Sequence, residues 1–423
     1  MPYRIRVIRR RSRAAPLVLL LATAPLGASR ILEHNVSVSF APDGSVLQTT
    51  ELRALVGSDP VAWTPLRLTL RDHETLEEFS ASAYDEHRAR RRVKGLRHRS
   101  TASMVEGTQH SALTTHWFEL PALARNAIVA LTYSVRSDSV FPEGAVEIPL
   151  DDPCRSVRIE IGDPPPGFRF RLGRATTATV GEGQHGVVVT RPDPCATGTS
   201  SQPRAPLTLH FVWGDARSWS ELGGLYNDLL ERAPIASPVI KERARAILAS
   251  SLEAARHRVD LLLDFVRRDI RYIAVELGEG WYLPAPPSTV LARGWGDCKE
   301  KALLLSRLLE TAGVEAYPAL IDSGTPTSFD PAFPRLSAFD HAIVAVAERS
   351  LDGGGDGRWL FLDPTLPPSD GRALHPRLVG RYALVLRGSG RSSLERVGGR
   401  GASDAVESPR GNALPLPLYS KSQ

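Results

Sequence analysis

The twelve residues Arg293–Leu304, RGWGDCKEKALL, place a single cysteine at the start of a helix with two lysines beside it. Gly294 and Gly296 allow a tight turn, and Asp297 is a natural N-cap for a helix beginning at Cys298. From there Ala302, Leu304, Leu305, Leu308, Leu309 and Ala312 recur at helical spacing, and Gly313 supplies the stop. The thiolate, not the thiol, is the nucleophile, and helix N-termini and nearby cations both stabilise it. Lys299 and Lys301 are two of only five lysines in the chain. In a first turn each opposes the helix dipole by roughly 0.3–1 kcal/mol, which a negative charge on Cys298 would offset. Both lysines are therefore read as support for a thiolate.

A base for that sulfur lies downstream. His341–Ala347 (HAIVAVA) reads as a buried strand, Asp352–Gly357 (DGGGDG) as a turn, and Trp359–Asp363 (WLFLD) as a second strand. A hairpin centred near Asp352 sets His341 opposite Asp363, each eleven positions from the centre. Directly paired residues bring their Cβ atoms within ~4.5–5.5 Å. Asp363 can then orient the imidazole and hold it protonated while the other ring nitrogen faces the sulfur. That is the nucleophile, base and orienter set of covalent acyl transfer. A one-residue slip in register would break it. Asp340 adjoins His341, but alternation along a strand turns it to the opposite face, so Asp363 is preferred.

These stretches resemble the bacterial transglutaminase-like superfamily. The likeness runs through Asp269–Leu320, with DIRYIAVELGEGWYLP and VLARGWGDCKEKALLLSRLLETAGVEAYPAL. It continues through Phe339–Val346 (FDHAIVAV) and Trp359–Thr365 (WLFLDPT). It is strong over roughly Trp219–Leu386 and diffuse over the N-terminal half. The chain is similar to the exported branch, in which a β-rich domain of unknown function precedes the transglutaminase-like domain. The resemblance implies a papain-like α+β core whose Cys–His–Asp triad falls on Cys298, His341 and Asp363. Glu300 stands where many relatives have Asp. Many relatives also continue into a further C-terminal β domain beyond the point where this sequence stops.

An acyl-transfer site needs donors aimed at the developing oxyanion. The backbone N–H of Cys298 is one candidate. In the resembling family the GEGWYLP loop lies beside the nucleophile, which makes Trp281 and Tyr282 candidates for the oxyanion site and substrate cleft. Trp295 joins them as a cleft residue, and each of the three also reads as a packed aromatic.

Met1–Ala28 carries six arginines and then the apolar run PLVLLLATAPLGA, the layout of a secretory signal too short to span a bilayer comfortably. The chain is expected to be exported, periplasmic or secreted, with no integral membrane segment once that signal is removed. The formal charge is +5, and losing the signal's six positive charges leaves −1. Nucleic-acid binding, which is driven by phosphate neutralisation, loses its main support. The basic run His87–Ser100 (HRARRRVKGLRHRS) has no aromatic interleaving and reads as a solvated loop. Of three cysteines, Cys154 and Cys195 each follow an Asp-Pro pair, and an oxidising compartment favours a disulfide between them that leaves Cys298 free.

Residues 30–216 show short alternating apolar stretches, among them Asn35–Phe40, Ala127–Val135, Ser156–Ile161 and Leu207–Trp213, broken by Gly, Pro and Asp. This pattern predicts an antiparallel β-sandwich. Residues 217–387 form the transglutaminase-like domain. It opens with a helical face of Trp219, Leu222, Leu225, Tyr226 and Leu229, and a third helix carries Val259, Leu262, Leu263, Val266 and Ile270. Residues 388–423 turn Gly/Ser/Arg-rich and read as a disordered tail. The expected activity is thiol-mediated acyl transfer on protein or peptide amides, hydrolysis more than cross-linking. A non-catalytic module that grips a peptide or cell-envelope polymer is the alternative. No cofactor and no metal is implied: there is no Asp-rich calcium loop and no paired ligand motif.

Overall fold

The computed structural model describes residues 30–398 apart from internal stretches, among them 57–65, 104–109, 193–206, 232–237, 277–282 and 352–356. Residues 1–29, Cys195, Trp281, Tyr282 and residues 399–423 therefore lie outside the described residues, as does the side chain of Cys154. The expected Cys154–Cys195 disulfide and the cleft roles of Trp281 and Tyr282 lie outside the described residues as well. The chain divides into two compact units, one of residues up to Asp215 with Ile273–Leu283, the other of Ala216–Tyr272 with Pro284 onward.

The first unit is built from strands whose alternating sequence buries every second side chain. Its largest sheet has eight strands. In spatial order they begin β13 (Thr179–Gly183), β14 (Gly186–Pro192), β11 (Cys154–Gly162) and β1 (Arg30–Phe40). They continue β2 (Val46–Leu55), β9 (Ile128–Ser137), β4 (Glu74–Tyr84) and β5 (Arg90–Arg92). A three-stranded sheet joins β10 (Glu143–Ile148), β15 (Leu207–Val212) and β12 (Arg169–Leu172). Another joins β3 (Leu66–Leu70), β8 (Leu113–Glu119) and β6 (Arg97–Ser103). Val38, Leu68, Val129, Ile159 and Phe211, drawn from all three sheets, belong to one apolar cluster. The short strands β7 (His110–Ser111) and β17 (Val275–Glu276) also pair.

Two expectations change here. The sheet is mixed, because β1 and β11 run parallel with Val36 opposite Ile159. Composition and alternation do not report strand direction. The basic run is not simply a loop, since β5 pairs with β4 and β6 with β8. In β6 the exposed Arg97 and Arg99 flank His98, whose ring stacks on Phe118, the alternation that a half-solvated strand accepts.

The second unit begins with α1 (Trp219–Glu231), α2 (Pro238–Leu248) and α3 (Ala255–Asp269). Then come β16 (Arg271–Tyr272), α4 (Pro287–Arg293), β18 (Trp295–Gly296) and α5 (Cys298–Thr311). A five-stranded antiparallel sheet completes it, in the order β21 (Trp359–Leu362), β20 (His341–Ala347), β19 (Ala316–Ile321), β22 (Tyr382–Val385) and β23 (Ser393–Arg396). Alternate residues of β20 serve two cores. Ala342, Val344 and Val346 pack with Leu304, Leu305 and Leu308 of α5, while Ile343 and Ala345 join Phe361 and Val385. Burial on both faces explains why β20 reads as an unbroken apolar run. In α1 the buried face is Trp219, Leu222, Tyr226 and Leu230, whereas Leu225 is 46% exposed.

The tail expectation is corrected in its first part. Residues 390–398 are ordered: β23 adds a fifth strand, and Val397 is buried in the core beyond it. Two apolar residues, Leu394 and Val397, sufficed where composition suggested too little to bury. Among the described residues no helix is long and apolar enough to cross a membrane.

Candidate active site

Cys298 is the first residue of α5, half-buried against the helical core. A capping box places it there. The Glu300 N–H donates to Asp297 Oδ1 at 3.0 Å, and the Asp297 N–H donates to Glu300 Oε2 at 3.1 Å. Such a cap contributes on the order of 1 kcal/mol. Glu300 also accepts from the Ala285 N–H at 3.1 Å and pairs with Arg293, so one buried carboxylate ties α4 and the residue after Pro284 to the turn that carries Cys298. Gly294 closes α4 at φ 72°, and a Cβ on Gly296 would lie 3.1 Å from Glu300 and Val290. Both positions call for glycine, one for its backbone and one for close approach.

The hydrogen bonds of the two lysines go elsewhere than the sulfur. Lys299 pairs with the Asp297 carboxylate. Lys301, 1% exposed, donates to the Ile270 carbonyl at 2.6 Å, where the end of α3 leaves an acceptor without a helical partner. Burial, with Arg267 adding, pulls the Lys301 ammonium down to about 8 against the opposing pull of Asp363. Trp295 lies under the Arg293 guanidinium, 3.6 Å from ring centroid to charge, and its carbonyl accepts from Arg293 Nε at 2.8 Å. That contact makes Trp295 a packing partner of the α4 C-terminus.

His341 opens β20, and Asp363 follows the last residue of β21. The strands pair Val344 with Leu362 and Ala347 with Trp359, so Asp363 falls opposite Ile343 and not opposite His341. The hairpin is centred one residue later than symmetric counting from Asp352 suggests, because β20 gives way to a 3₁₀ turn at Glu348–Ser350. The resulting offset is two residues. It preserves the face, and the diagonal pair still meets, with His341 Nε2 2.9 Å from Asp363 Oδ2. Cys298 acts on the same ring through hydrogen bonding and charge. Burial pushes the ring toward neutrality, yet the hydrogen bonds and charges of Asp363 and Cys298 outweigh it and raise His341 to about 10. Asp363, 2% exposed, is pushed up by burial and pulled lower still by its bonds to His341 and Thr365.

Four residues at the site escaped the sequence reading. Thr365 donates its N–H at 2.9 Å and its hydroxyl at 2.6 Å to Asp363 Oδ1. Arg267 on α3, 7% exposed, donates Nε at 3.1 Å and Nη2 at 2.7 Å to the Asp363 carbonyl. Its signal was present: it sits four residues after Leu263 and three before Ile270, a cation on an apolar stripe. Tyr226 on α1 is buried, and burial, with Asp297 and Cys298 adding, holds its phenol protonated. Glu300 was noted only as a family variation. Asp340 accepts from the Ser323 N–H at 2.7 Å and its hydroxyl at 2.9 Å, which occupies it away from His341.

Sulfur, imidazole and carboxylate in series can activate a thiol and move its proton. Among the described residues no three His, Cys, Asp or Glu side chains gather as metal ligands. No family model matches the sequence, and no curated protein matches it. Solved structures do. A "putative protease" from Parabacteroides distasonis aligns with 86% of this chain and 71% of its own at 14% identity, with a TM-score of 0.60, which establishes a shared fold. A "putative cysteine protease" from Cytophaga hutchinsonii covers 83% of this chain and 86% of its own at 10% identity, but its TM-score of 0.23 carries no argument.

Proposed function

We propose that the protein is an exported, transglutaminase-like cysteine enzyme that cleaves protein or peptide amides through a thioester. One observation carries the reading: His341 Nε2 lies 2.9 Å from Asp363 Oδ2, and the hydrogen bonding and charge of Cys298 act on the same ring. In the first step sulfur attacks the amide carbon, the C–N bond breaks, and protonated His341 gives its proton to the leaving amine. Neutral His341 then takes a proton from water as its oxygen attacks the thioester, and the C–S bond breaks to release acid and free thiol. An amine in place of that water would make the reaction a transfer; hydrolysis is the favoured outcome. The Cys298 N–H at the start of α5 is one donor for the oxyanion. The description of the Parabacteroides neighbour agrees with a protease, and the N-terminal composition with one that is exported. The strand-rich first unit is read as a sandwich-like accessory domain.

Iodoacetamide labelling at neutral pH tests this reading. Cys298 should label faster than a free thiol, and His341→Ala should remove the excess rate. Cys298→Ser should keep the fold and lose all cleavage of peptide amides. Slow labelling that ignores His341→Ala would leave only a peptide-gripping module.

A further inference from the structure

The acid of the proposed triad is held from behind by a group that nothing in the Cys–His–Asp motif announces. Leu362 is the last residue of β21 paired to β20, so the Asp363 carbonyl lies just beyond the ladder. A buried guanidinium meets it instead, with Arg267 Nε at 3.1 Å and Nη2 at 2.7 Å. Arg267 is fixed in turn by its position on the last turn of α3, where Lys301 of α5 clamps the Ile270 carbonyl at 2.6 Å. The Asp363 side chain is then shared, Oδ1 with Thr365 and Oδ2 with His341. Thr365 alone would leave the carboxylate free to rotate with its own loop. Fixing the carbonyl as well leaves one orientation, and it points at Nε2.

We propose that Arg267 is a positioning residue of the site: its two-pronged bond to the Asp363 main chain keeps the carboxylate in line with His341. The inference rests on the proposed function only for its catalytic meaning; the geometric claim stands or falls on His341. A planar fork suits this task better than an ammonium, which gives a point charge without the fixed pair of donors.

The experiment is ¹⁵N-imidazole NMR of the full chain labelled at histidine, with His341 assigned through its loss in His341→Gln. Arg267→Met should lower the His341 titration midpoint by about one unit or more and remove the downfield proton of the Asp363 hydrogen bond. Arg267→Lys, which keeps charge but not the fork, should fall between that variant and the wild type. A wild-type midpoint and proton in Arg267→Met would overturn the inference. If Arg267→Met does not fold, a wild-type midpoint in Arg267→Lys overturns it and a lowered one supports it. Iodoacetamide rates on the same samples separate the two claims. A wild-type protein that labels no faster than a free thiol refutes the proposed enzyme, while the His341 midpoints still decide the role of Arg267.

Discussion

Replacing Asp363 with asparagine keeps the size and one acceptor oxygen but removes the charge that His341 faces. In the wild type the imidazole stands at about 10 against an ordinary 6.5, because the bonds and charges of Asp363 and Cys298 overcome burial. A hydrogen bond to a charged group is worth about 1.5–3 kcal/mol and one pKa unit about 1.36 kcal/mol, so losing this bond alone lowers the midpoint by about 1–2 units. Losing the Coulombic attraction lowers it further, since burial is then opposed by Cys298 alone. The sign of the stability effect follows. His341 has a raised folded value, so its contribution is full below its ordinary 6.5 and is lost as pH climbs through about 10. Asp363 has a depressed value, so its contribution is full above its ordinary 3.8 and is lost as pH falls through the depressed value. Urea unfolding should therefore show the deficit of Asp363→Asn at its largest near pH ~5.5 and reduced near pH ~10.5. NMR titration of His341 supplies the midpoint. A deficit that stays level across that range, or a midpoint that does not fall, would refute the reasoning.

The remaining expectations concern the frame around the site. Val397→Ala removes two buried methyl groups from the core beyond β23 and should cost about 2 kcal/mol in urea unfolding; no loss would return this segment to a tail. Lys301 has a folded value of about 8, below its ordinary 10.5, so the wild type gains stability as pH rises between the two. Lys301→Met should compare best with the wild type below about pH 8 and lose ground by about pH 10.5. A constant difference in unfolding free energy would show that the ammonium is not held down by burial.

The parts of the site that are local in sequence were legible from it. Gly294, Asp297 and the spaced leucines of α5 set the helix start without help from distant residues, and that start is what aims Cys298. The pairing of His341 with Asp363 was legible by parity but not by register. A turn of unknown shape moves the centre of a hairpin, and only a shift of even size leaves the same faces together. Arg267 and Tyr226 were not assigned because their partners lie far along the chain, and a lone polar residue on an apolar stripe does not say whom it meets. Lys301 was noticed for its charge and given the wrong partner, since a long side chain on α5 reaches the end of α3 as readily as the neighbouring sulfur. The parallel β1–β11 pairing was hidden for a related reason: direction is set by the route between two strands, not by their composition.

That pairing bears on how the chain is made. β1 and β2 are neighbours in sequence and can meet as a hairpin soon after synthesis, but the other side of β1 waits for β11, whose Ile159 and Ile161 emerge more than a hundred residues later. Until then the amides and carbonyls along Val36 and Val38 form an open template for a second nascent chain. Contacts of such long range also form slowly. Vectorial synthesis thus leaves the middle of the largest sheet half-built until β11 ends at Gly162, more than a third of the way along the 423 residues.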